Sequence, residues 1–81
     1  MAHRAVPVLL RICDAIDRLF IAEVGPSGRK LIEEARRAWL VTGNKNRPAD
    51  AQQYVLLLAR HILDGERREE FVEEAKDCIR L

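Results

Sequence analysis

The sequence predicts an all-α protein, a small four-helix bundle built from two helical hairpins. Apolar residues recur at spacings of three and four in four separate segments, no segment alternates with a period of two, and the three prolines fall only at helix starts or turns. At 81 residues the chain has room for one domain, residues 1–81, with a flexible tail expected over 1–6.

The first helix is expected over residues 7–24. Pro7 suits a first turn, where its missing N–H is not needed, and Leu9, Ile12, Cys13, Ile16, Phe20 and Val24 form the apolar stripe. Asp14 and Arg18 are spaced for an i,i+4 ion pair on the wet side. Gly25-Pro26-Ser27-Gly28 stops the helix, since glycine accepts a left-handed cap and proline cannot extend the ladder. The second helix follows over 27–42, with Leu31, Ile32, Ala35, Ala38 and Trp39 inward and Glu33 and Arg37 spaced to pair outward. Ser27 and Thr42, the only hydroxyl residues besides Tyr54, sit at its ends, where capping accounts for them.

Gly43 to Arg47 is polar and aperiodic, the one real loop. Pro48 restarts a helix over 48–64, with Asp50 placed favourably near its N-terminus. Ala51, Tyr54, Val55, Leu58 and Ile62 mark its inner face, and Asp64-Gly65 ends or bends it. The fourth helix is expected over 66–80, with Phe71, Val72, Ala75, Cys78 and Ile79 inward. Trp39 and Tyr54 flank the loop and are placed to pack together beneath it.

Two stretches echo each other. Leu31 to Arg36 reads LIEEAR and Phe71 to Lys76 reads FVEEAK, a 40-residue step apart. Any core-facing amphipathic helix tends toward that template, so chance and duplication both account for it. Either origin implies a pseudo-symmetric pair of hairpins.

Composition narrows the function classes. Cys13, Cys78, His3 and His61 show no zinc-ligand spacing, no nucleophile and base cluster accompanies His61, and no cofactor motif is present, so no metal, cofactor or catalytic role is expected. The two cysteines read as small core residues, with a bridge between the terminal helices as the alternative. There is no signal-peptide pattern, and the apolar runs fall far short of the roughly 18 residues needed to cross a bilayer, so a cytoplasmic location without a membrane is expected.

A chain this short buries only about 60–65% of its unfolded surface, which makes a second subunit a natural source of stability. The first and third helices carry more apolar side chains than one stripe requires. Leu10, Leu19, Ile21, Leu56, Leu57 and Leu63 are therefore candidate interface residues, and a protein partner or homodimer is the expected mode of action, in an accessory or regulatory role. The alternative to a dimer seam is that both helices are central and buried on two sides.

Charge is uneven despite a net charge of +1. Residues 29–47 hold six bases (Arg29, Lys30, Arg36, Arg37, Lys45 and Arg47) against two acids, whereas 64–77 hold seven acids against three bases. The basic segment is a candidate surface for a charged partner. Nucleic acid is the runner-up partner, and Glu33 and Glu34 on the same segment count against it.

Overall fold

The computed structural model describes residues 4–79. Four helices follow one another: α1 (Pro7–Val24), α2 (Gly28–Val41), α3 (Asp50–Ala59) and α4 (Gly65–Ile79). They pack as a small all-α bundle, without strands among the described residues.

The helix ends follow from local chemistry. Pro7 occupies the first turn of α1, and Gly25 closes it with φ 84°, its N–H donating to the Ile21 carbonyl at 2.8 Å. The next turn is tight, with Gly28 N–H donating to Gly25 O at 3.0 Å. Gly28 then lies so close to α1 that an added Cβ would stand 2.5 Å from Val24 Cγ2 and 3.1 Å from Phe20 Cε2. Ser27 makes no capping bond, contrary to the expectation for it, because its backbone is already helical in this turn. Thr42 Oγ1 donates back to Trp39 O at 2.9 Å.

The third helix is shorter than the expected 48–64 at both ends. Before it, Asp50, Ala51 and Gln52 donate to carbonyls three residues back, so Pro48 and Ala49 form a tight lead-in turn. After Ala59, His61 and Ile62 also bond three residues back, to Leu58 and Ala59, which tightens the chain and turns Ile62 into the core. Arg68 then satisfies freed carbonyls, its Nε donating to Ile62 O at 3.0 Å and its Nη2 to Leu63 O at 3.2 Å. Asp64 begins α4 rather than ending α3. Its Oδ1 accepts from the N–H groups of Glu66 at 2.9 Å and Arg67 at 3.1 Å, an N-cap. The expected last helical residue, Arg80, lies outside the described residues.

Part of the expected tail is held in place. Ala5 and Lys45 form an isolated parallel bridge, with Val6 N–H donating to Lys45 O at 3.0 Å and Lys45 N–H to Arg4 O at 2.9 Å. Arg4 N–H also donates to Asn44 Oδ1 at 2.9 Å. The polar loop and the chain before α1 thereby satisfy each other's backbone groups.

α1 and α3 each touch all three other helices, whereas α2 and α4 do not touch among the described residues. The section is therefore a flattened rhombus, in keeping with overall dimensions of 36 × 27 × 17 Å. This contact pattern is unchanged when α1 exchanges with α3 and α2 with α4. Leu31–Arg36 and Phe71–Lys76 therefore lie on flanking helices with equivalent neighbours.

Two aromatic pairs fill the two ends of this scheme. Phe20 of α1 meets Phe71 of α4 edge-on at 5.8 Å, and Trp39 of α2 meets Tyr54 of α3 at 5.4 Å, as the flanking of the loop predicts. All four rings are 0–1% exposed. The indole N–H of Trp39 donates to Asp50 O at 2.8 Å, tying α2 to the first turn of α3. Cys13 is buried and Cys78 half-buried, and both are free thiols.

Candidate interaction surface

Asp14, Asp17, Arg36 and Tyr54 form one ionic cluster across three helices. Arg36 of α2 reaches α1 with Nη2, 2.7 Å from Asp17 Oδ2 and 3.0 Å from Asp14 Oδ1. Its Nε donates to the Tyr54 hydroxyl at 3.1 Å, and that hydroxyl donates to Asp17 Oδ1. A phenol buried in a core requires a polar partner, and α1 supplies one at the position that faces α2 and α3. Burial, followed by the hydrogen bond to Asp17, pushes the Tyr54 hydroxyl pKa well above its ordinary value. Burial opposes the Arg36 charge, yet the bonds to Tyr54 and the carboxylates outweigh it and the guanidinium pKa is raised. Burial likewise pushes the Cys13 thiol up to about 12. Such a thiol is a core filler rather than a nucleophile.

Two of the six bases grouped as a charged surface are consequently committed inside the molecule. Arg36 serves the ionic cluster. Lys45 is 5% exposed, with Nζ donating to Thr42 Oγ1 at 2.6 Å and lying 5.9 Å from the Trp39 ring centre. Arg29, Lys30, Arg37 and Arg47 are exposed. The expected pairs Asp14–Arg18 and Glu33–Arg37 are absent among the described residues, Asp14 being taken by Arg36. On the other side of α1, Arg67 Nε lies 3.2 Å from Glu23 Oε2, close enough for charge attraction although no hydrogen bond reaches that oxygen.

The apolar surplus of the two central helices separates in the same way. In α1, Leu19 packs against the core and Ile21 is half-buried beside Ile32 in the groove between α1 and α2. Leu10 is 37% exposed, beside Val8 at 39% at the start of the helix. The outward line of α1 is Arg11, Asp14, Arg18 and Ala22, mostly charged. In α3, Leu57 is half-buried, but Leu56 is 62% exposed, with Gln52, Gln53 and Arg60 as its exposed neighbours. Leu63, 90% exposed, belongs to the connection after α3 rather than to the helix.

Leu56 is the crest between two grooves. On the α4 side, Val55, Val72 and Ile79 form an apolar trough of about 440 Å³ rimmed by Gln52 and Lys76. On the α2 side, Ala38, Leu57 and Trp39 line a second one of about 350 Å³, rimmed by Gln53 and Arg60. Val41, 74% exposed, follows Ala38 by three residues and extends this apolar edge. One broad face of the rhombus is thus crowned by leucine and glutamine, and the opposite one by charge. Neither Val41 nor the grooves were legible as site features in the sequence, because which stripe of α3 stays open depends on where α2 and α4 dock.

No helix among the described residues is long and apolar enough to cross a membrane, and no group of three His, Cys, Asp or Glu side chains among them could hold a metal ion. No curated protein and no solved structure shows significant similarity to the chain. A family model does match it, over residues 12–81, from the middle of α1 onward. The chain belongs to the family described as a domain of unknown function, DUF8082.

Proposed function

We propose that this domain acts by protein–protein association, pairing with a second copy of itself through the face crowned by Leu56, in a binding rather than a catalytic role. The observation that carries this reading is the exposure of Leu56, 62%, between two apolar-lined grooves, while the other broad face is charged. Isolated exposed leucines are ordinary, but one set between apolar troughs supplies the contiguous patch that association sites use.

The test is the solution mass by light scattering over a range of concentration, for the wild type and Leu56→Asp. A charge at an exposed position leaves the bundle folded but desolvates badly in an interface. The expected result is a wild-type dimer and a folded Leu56→Asp monomer. A wild type that stays monomeric throughout, or a dimer indifferent to Leu56→Asp, overturns the reading.

A further inference from the structure

The grooves on either side of Leu56 share one electrostatic property. Their only charged lining residues are cations, Arg60 between α2 and α3 and Lys76 between α3 and α4, and no acid lines either one among the described residues. The two cations differ in what already serves them. Lys76 Nζ lies 3.3 Å from Glu73 Oε1, one turn away on its own helix, whereas Arg60 is exposed and makes no ion pair among the described residues. A second copy of the chain brings the same face, and so two more cations without an acid. Like charge across an interface opposes binding, and a carboxylate there favours it.

The groove that Arg60 rims is shaped for a helix. Gln53, Leu56, Leu57 and Arg60 line it over two turns of α3, roughly 10 Å at 1.5 Å per residue. Ala38 and Trp39 of α2 form the opposite wall, and the exposed Val41 prolongs it. That length matches apolar anchors at i, i+3 or i+4, and i+7 of an amphipathic helix laid along the groove. The guanidinium at its end is a fork for a carboxylate.

We infer that the α2–α3 groove docks an acidic amphipathic helix of a partner protein, its apolar stripe on Leu56, Leu57 and Ala38 and a carboxylate on Arg60. This rests on the association reading above and adds a regulator to it: both occupants use Leu56, so docking of the helix displaces the second copy. The domain exchanges self-pairing for a partner that carries the acid its own face lacks.

The probe is a synthetic peptide about 15 residues long, enough to form a helix, with leucine at i, i+4 and i+7, glutamate beside them and no tryptophan. It is compared with the peptide in which lysine replaces every glutamate. Trp39 is the sole tryptophan and lines the groove, so its emission reports binding, while sedimentation follows the dimer. Arg60→Glu and Lys76→Glu, both at exposed positions and checked by circular dichroism, complete the set. The expected result is saturable binding of the acidic peptide to wild type with loss of the dimer, and binding of the lysine peptide about tenfold or more weaker. Arg60→Glu should reverse that preference, and Lys76→Glu should stay within about threefold of wild type. No binding, equal binding of the two peptides, or a preference unchanged by Arg60→Glu overturns the inference, as does an acidic peptide that binds while the dimer persists. A wild-type dimer sensitive to Leu56→Asp survives each of those outcomes, whereas a wild type that is monomeric without any peptide fails the association reading itself.

Discussion

Tyr54→Phe isolates the ionic cluster that joins α1, α2 and α3. The ring is 0% exposed and packs on Trp39, and phenylalanine preserves that packing without opening a cavity. What disappears is the hydroxyl, which donates to Asp17 and accepts from Arg36 Nε at 3.1 Å. Hydrogen bonds to charged groups are worth about 1.5–3 kcal/mol each when buried. The two do not simply add, because Arg36 and Asp17 still hold each other at 2.7 Å and keep 23% and 18% exposure, through which water can replace part of the loss. A destabilisation of about 2 kcal/mol follows. For a domain of this size that lowers Tm by roughly 8–16 °C, with the denaturant m value unchanged. Thermal and urea unfolding followed by circular dichroism measure both, and a cycle with Asp17→Asn should return a coupling of about 1 kcal/mol. A loss under about 0.5 kcal/mol, or no coupling, would refute the assignment of this cluster as the polar tie between the helices.

The pKa shifts set the alkaline limit of stability. Tyr54 and Cys13 both prefer the protonated form when folded, so their contribution is fully present below the unfolded values of 9.0 for the thiol and 10.0 for the phenol and declines as pH rises beyond them. Stability should fall between about pH 9 and 12 by up to about 1.4 kcal/mol per unit for each group, and Cys13→Ala should flatten the part that begins near 9.0. Tyr54 is the sole tyrosine, so its phenolate absorbance reads the site directly, and ionisation near pH 10 without unfolding would contradict the burial argument. At the α1–α2 turn, Gly28→Ala drives a methyl toward Val24 Cγ2 at 2.5 Å. A loss of about 1–2 kcal/mol is expected by chemical denaturation, overpacking exceeding the gain in helix propensity; a variant at least as stable as wild type would show that Val24 yields freely.

The sequence by itself determined the helices and most of the core. Period, proline position and glycine turns placed α1 at its observed bounds and α2 within one residue at each end, because these signals act locally through backbone geometry. Leu9, Ile12, Cys13, Ile16 and Phe20 were readable as the buried stripe for the same reason. The ends of α3 were less legible. Asp64 is a start signal and a plausible stop signal alike, and Ile62 leaves the helix for a core that exists only once α4 has docked.

Only the tertiary structure decided how the polar residues are used. Asp14 has a helical neighbour in Arg18 and a better partner in Arg36, 22 positions away, and nothing local ranks the two. Arg36 and Lys45 look like surface bases until Tyr54 and Trp39 are packed beside them. Leu19 and Leu56 each lie outside the core stripe of a central helix, yet one is covered and the other is left as a crest. Burial is a property of the neighbours that arrive in space, and the order of residues along the chain records only which side chains are able to receive them.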